Sequence, residues 1–106
     1  MDPLNVGFAV VYRWRLRDGM EEQFQRAWEI VTKALMAERG ALGSRLHHGE
    51  DGTWTAYAQW PSWGHWERSR QLGPVNPRAA AAMREATKES LDPILMEPVC
   101  DYLMHG

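Results

Sequence analysis

The residues best suited to chemistry in this sequence are aromatic. Six tryptophans stand in a chain of 106 residues, five of them between Trp28 and Trp66. An indole is costly to place, because its ring needs a large matching cavity and its N–H needs a partner. Such a load builds either a bulky core or a pocket walled by flat rings. Tyr12 adds a phenol that can donate or accept a hydrogen bond. His47, His48 and His65 add imidazoles, which titrate nearest to neutral pH. His47 and His48 are neighbours in a run that reads as a strand, so their side chains leave opposite faces and cannot share one metal ion. With a single cysteine, Cys100, and no Asp or Glu paired at ligand spacing, a zinc or iron site is rejected.

The elements that must position these groups follow from periodicity. Val6 to Leu16 reads as a strand, with Val6, Phe8, Val10, Tyr12, Trp14 and Leu16 on one face. The other face is apolar at Ala9 and Val11 and basic at Arg13 and Arg15, so the early part of the strand expects cover on both sides. Arg17-Asp18-Gly19 is a turn, with Asp18 the expected helix cap and Glu21 and Glu22 suited to the first helical turn. Met20, Phe24, Ala27, Trp28, Val31, Ala34 and Leu35 form one stripe of a helix from Met20 to Arg39, closed by Gly40. Ala41 to Gly49 and Thr53 to Trp60 read as strands joined at Glu50-Asp51-Gly52, a hairpin turn. Trp54, Ala56, Ala58 and Trp60 share one face of the later strand; Thr53, Thr55, Tyr57 and Gln59 share the other. Ser62 caps a short helix from Trp63 to about Leu72. Gly73-Pro74-Val75-Asn76-Pro77 breaks the chain before a second helical stretch, Arg78 to Leu91. Glu97 to Met104 reads as a final strand, with Cys100 as a buried small apolar residue.

This order gives an α+β class: a ferredoxin-like βαββαβ sandwich, an antiparallel sheet with helices on one face, as one domain over residues 1–106. The other sheet face needs water or a second sheet against it. Hydrophobic residues at 44% and charged residues at 25% are ordinary for a soluble protein. A net charge of −2 gives no reason to expect nucleic acid or an anionic membrane as partner. No apolar run reaches the ~20 residues of a membrane span, and Met1 to Leu4 lacks the basic start of a secretory signal, so a cytoplasmic location is expected.

Three segments carry a resemblance. Leu16-Arg17-Asp18-Gly19-Met20-Glu21-Glu22-Gln23-Phe24 resembles the turn and helix start of antibiotic-biosynthesis-monooxygenase (ABM) domains. Gly40-Ala41-Leu42-Gly43-Ser44 resembles the lead-in to their second strand. Trp60-Pro61-Ser62-Trp63-Gly64-His65-Trp66 resembles their strand-ending tryptophan and the Ser-capped helix that follows. The resemblance implies a dimeric α/β barrel, two subunits packed sheet to sheet, which would cover the doubly apolar first strand. It implies no cofactor for the oxygenase branch, whose members act on polycyclic aromatic substrates; other members degrade haem.

In such domains the ligand cavity lies between sheet and helices. Tyr12 is then the leading catalytic candidate, able to orient or deprotonate a phenolic substrate; its plainer reading is a core tyrosine bonded to a carbonyl. His47 and His65 are further catalytic candidates. Trp28, Trp63 and Trp66, with His48, are expected to bind a small flat aromatic or apolar ligand, or else simply to pack. Trp60 reads as structural. The haem-degrading set is missing: its asparagine, tryptophan and histidine positions fall on Tyr12, near Ser69 and near Ala79. The expectation is thus a cofactor-independent monooxygenase. Its alternatives are a non-catalytic binding or dimerisation module, with Trp28, Trp63 and Trp66 filling the cavity, and, more weakly, a lactone isomerase or lyase or a haem-degrading relative.

Overall fold

A computed structural model describes residues 6–103. Met1 to Leu4, and Met104 of the expected last strand, lie outside the described residues. The sheet is built around β1 (Phe8–Leu16). Its antiparallel neighbour is β3 (Trp54–Trp60), in register from Phe8 opposite Trp60 to Trp14 opposite Trp54. β2 (Gly43–His48) pairs with the far side of β3. The other edge of β1 is shared. β4 (Thr87–Ser90) takes its second half, while β5 (Ile94–Met96) pairs with Ala9, Val10 and Val11.

Side chains alternate along a strand, so Phe8, Val10, Tyr12 and Trp14 leave one face of the sheet together. The helices lie on that face. Phe8, Val10, Ala58, Trp60 and Trp66 form the core cluster, with Tyr12, Leu35 and Ala41 packed against it. Helix α1 (Glu21–Glu38) drives Phe24 and Ala27 into the core, and the Phe24 ring meets Trp14 edge-on at 4.9 Å. Gly40 takes φ +82°, a conformation that costs glycine little, and the Ala41 N–H turns back to the Leu35 carbonyl. Helix α2 (Trp63–Leu72) starts where expected: Ser62 Oγ accepts the His65 N–H at 3.2 Å. Helix α3 (Pro77–Ala86) starts with Asn76 Oδ1 accepting the Ala79 N–H at 3.0 Å, and with proline in its first turn.

Four expectations are corrected. Asp18 does not cap α1; the N-cap position is Met20, without a side-chain cap. The Met20 N–H closes a turn onto the Arg17 carbonyl at 3.1 Å, which leaves Asp18 at the corner, too early to reach the helix. The helix expected over 78–91 ends at Ala86, because the edge of β1 offers Thr87–Ser90 a ladder; the Arg17 N–H donates to the Ala86 carbonyl at 2.9 Å at the changeover. The last strand is Ile94–Met96, not 97–104. Met96 opposite Ala9 uses the end of β1, and Pro98 has no N–H to extend the ladder. Cys100 is consequently exposed, not buried.

Candidate functional site

A cavity of about 240 Å³ lies between the sheet and the helices. Each layer supplies part of its wall: Tyr12 and Trp14 from β1, Ala58 and Trp60 from β3, Trp28, Val31 and Leu35 from α1, and Met83 from α3. The α1 residues reach it because positions 28, 31 and 35 fall on one stripe of that helix. The lining is almost wholly apolar, with the Tyr12 hydroxyl, Thr32 and Ser44 as its polar points.

Tyr12 is held on two sides. Its ring stacks on Trp14, with centroids 6.0 Å apart and planes 19° from parallel. Its oxygen accepts a 2.7 Å hydrogen bond from Trp66 Nε1. Trp66 is buried in the first half of α2, its ring 5.5 Å from Phe8. Burial pushes the Tyr12 phenol above its ordinary value of 10.0, against the opposing pull of the Trp66 hydrogen bond and the Arg70 charge. The hydroxyl is therefore neutral at physiological pH. With its oxygen already accepting from the indole, its own proton is left to donate.

This shift fixes a dependence on pH. The folded chain keeps the Tyr12 proton where the unfolded chain begins to lose it. The associated stability is fully present below pH 10.0 and is lost as pH rises through the higher folded value. Urea midpoints followed from about pH 8 to about pH 11 should fall more steeply for the native chain than for Tyr12→Phe.

Behind Tyr12 lies a second cavity of about 320 Å³ that shares Tyr12, Val31, Leu35 and Trp60 with the first and adds Trp66, Ser69 and Arg70. The Arg70 guanidinium sits 4.9 Å from the centre of the Trp66 ring. Arg39, at the end of α1, ties this region down. Its Nη1 donates to the Ser69 carbonyl at 2.8 Å, to Ser69 Oγ at 3.1 Å and to the Gly73 carbonyl at 3.1 Å. A cation on the last carbonyls of α2 also suits the helix dipole. Replacing Arg39 by Ala should cost about 2 kcal/mol in urea unfolding, since charged donors on otherwise unsatisfied carbonyls are lost.

The residues singled out from sequence separate clearly. Tyr12 and Trp28 line the first cavity; Tyr12 and Trp66 line the second. Trp63 is 55% exposed and lines neither. His47 lies on the sheet face away from the helices, its Nδ1 3.3 Å from the Thr55 carbonyl. His48 shares the helix-side face but stacks on Trp54 at the end of the sheet, centroids 4.6 Å apart, and stays exposed. His65 is held at the start of α2, its Nδ1 2.8 Å from Ser62 Oγ. Sequence reasoning did not place Trp14, Trp60 or Arg70 at the site. Trp14 was signalled by its spacing of two from Tyr12, and Arg70 by its spacing of four from Trp66.

Among the described residues no group of three His, Cys, Asp or Glu is placed to hold a metal ion. Among the same residues no helix is long and apolar enough to cross a membrane.

Several solved structures share this fold. SnoaB, a cofactor-independent oxygenase from Streptomyces nogalater, superposes with a TM-score of 0.75 at 15% identity, over 92% of this chain and 97% of its own. Rv0793 from Mycobacterium tuberculosis gives 0.73 at 16% identity, over 91% and 98%. A conserved protein from Methanosarcina mazei Go1 gives 0.71 at 11% identity, over 88% and 93%. No curated protein sequence matches the chain. Residues 7–87, from the start of β1 to the start of β4, match the family described as Antibiotic biosynthesis monooxygenase. The chain, with its antiparallel α+β sandwich and its aromatic cavity between sheet and helices, belongs to the antibiotic biosynthesis monooxygenase (ABM) family.

Proposed function

We propose that this chain is a cofactor-independent monooxygenase that acts, as a homodimer, on a small flat aromatic substrate such as an anthrone or hydroquinone. The observation that carries the reading is the neutral Tyr12 hydroxyl, pinned by Trp66 on the wall of an aromatic, nearly apolar cavity. The substrate itself supplies the electrons in this chemistry. An anthrone-type methylene loses a proton to solvent, and the enolate so formed gives one electron to O₂. The radical pair joins as a C–O bond. The peroxide regains a proton from solvent, and its O–O bond then breaks as the second proton leaves the same carbon and joins the departing hydroxide, giving a carbonyl and one water. Tyr12 serves as hydrogen-bond donor to the enolate oxygen, which lowers the acidity barrier at the methylene. Its raised pKa disfavours a role as general base, and none of His47, His48 or His65 lines the cavity to act as one. Trp14, Trp28 and Trp60 keep water from the carbanion.

The open cavity counts against a module with Trp28, Trp63 and Trp66 as filling. Haem chemistry finds no support either, since the ligand position falls on Ala79, a buried residue of α3 whose methyl side chain cannot ligate iron. The homodimer rests on the sheet face that no helix covers among the described residues. Val11 and Tyr57 are only half-buried there, Ile94 and Met96 stay exposed beside them, and Val99 and Tyr102 follow at 91% and 94% exposure. On the same face Arg13 Nε is buried without a hydrogen-bond partner among the described residues, a cost that a second copy could relieve.

Purified protein, with no metal or flavin added, should consume O₂ with a member of a panel of anthrones and hydroquinones. No uptake across the panel, with the cavity empty after soaking, overturns the reading. A monomer in sedimentation at assay concentration removes the dimer from it.

A further inference from the structure

The second cavity has a charge the first lacks. Among the described residues lining the two cavities that Tyr12 borders, Arg70 carries the only full charge. Its guanidinium lies over the Trp66 ring, on the same indole whose N–H holds Tyr12. One N–H is spent: Nη1 donates to Glu67 Oε1 at 2.7 Å. Among the described residues nothing engages the other N–H groups of Arg70. A guanidinium stacked on an aromatic ring is weakly hydrated and keeps its planar fork free for an oxyanion. The opening beyond Met83 is different. It carries Arg84, Lys88 and Glu89, of mixed sign, and Tyr12 does not line it.

We infer that the second cavity seats a carboxylate borne by the aromatic substrate, with Arg70 as its counter-ion. The inference rests on the aromatic-substrate reading above and names the class within it: an aromatic acid rather than a neutral ring system. The rings occupy the dry cavity between Tyr12, Trp28 and Trp60, and the acid reaches past Tyr12 toward α2. Arg70 then sets orientation, presenting one edge of the rings to the Tyr12 hydroxyl. Glu67 competes with the ligand for the same guanidinium.

Quenching of tryptophan fluorescence measures this directly, with anthraquinone-2-carboxylate and its neutral carboxamide as probes. The acid should bind the native protein about tenfold more tightly than the amide, and the margin should shrink with salt, because the Arg70–Glu67 pair is partly exposed. In Arg70→Gln the acid should lose that tenfold while the amide is unchanged; Arg70→Lys should keep part of it. Glu67→Gln should tighten the acid alone, an effect that mere packing of Arg70 on Trp66 does not produce. Equal binding of acid and amide to the native protein overturns the inference and leaves the aromatic site standing. So does equal weakening of both probes by Arg70→Gln. Binding of neither probe overturns the inference together with the aromatic site.

Discussion

Tyr12→Phe is expected to lower kcat for oxygen uptake by about a hundredfold while the chain still folds, the usual scale for losing one hydrogen-bond donor to a developing oxyanion. Only the hydroxyl is removed, so the stacking on Trp14 survives and substrate affinity should change little. KM should therefore hold while kcat falls, the signature of an interaction made in the transition state. Phe also leaves Trp66 Nε1 without an acceptor in a buried setting, which should cost about 1–3 kcal/mol of stability. The stability loss and the rate loss can be separated. Adding Trp66→Phe removes the orphaned donor and should return part of the stability, because deleting both partners of a buried hydrogen bond costs less than deleting one. It should return none of the rate. A Tyr12→Phe enzyme with native kcat removes Tyr12 from the chemistry. Rate recovery in the double variant would mean that the loss in Tyr12→Phe came from a displaced Trp66 and not from the missing hydroxyl.

The cavity was legible in part because its walls come from regular elements. The alternation of β1 puts Phe8, Val10, Tyr12 and Trp14 on one face, and the helical stripe through Phe24, Trp28, Val31 and Leu35 puts α1 over them. Local periodicity suffices for that much, and it also carried the hairpin at Glu50–Gly52 and the Ser62 cap. It failed where an element is decided by a distant one. Thr87–Ser90 has helical spacing, yet the vacant edge of β1 takes it into the sheet. The expected strand at 97–104 fails for the converse reason: the pairing stops at Ala9, one residue from the start of β1, and Pro98 cannot continue it. The imidazoles show the same limit. Residue type marks His47, His48 and His65 as able to move protons, but strand parity sends His47 to the far face, Trp54 engages His48, and Ser62 holds His65. Arg70 is not legible in the sequence, because an exposed arginine beside a glutamate reads as an ordinary helical ion pair, and only the fold brings it behind Tyr12.

Phe24→Ala should have the largest effect on stability, about 3–5 kcal/mol, the range for truncating a fully buried aromatic ring. Phe24 is completely enclosed, edge-on to Trp14 at 4.9 Å and 6.5 Å from Trp54. Against the total stability of roughly 5–15 kcal/mol for a domain of this kind, that loss is a large fraction of the whole. The void would open directly behind Trp14, which forms the cavity wall on its other side, so ligand binding should weaken along with the fold. Phe24→Leu, which keeps most of the volume, should cost about 1–2 kcal/mol and leave binding close to native. Trp28 offers the opposite case. Its ring is half-buried and faces the cavity, so part of its surface has no protein atoms to lose. Trp28→Ala should destabilise less than Phe24→Ala although it deletes more atoms, and should weaken ligand binding more than Phe24→Leu. Urea unfolding and fluorescence titration of the three variants check the ordering. A Trp28→Ala loss as large as that of Phe24→Ala would mean that Trp28 is packed as core and that the cavity closes in solution.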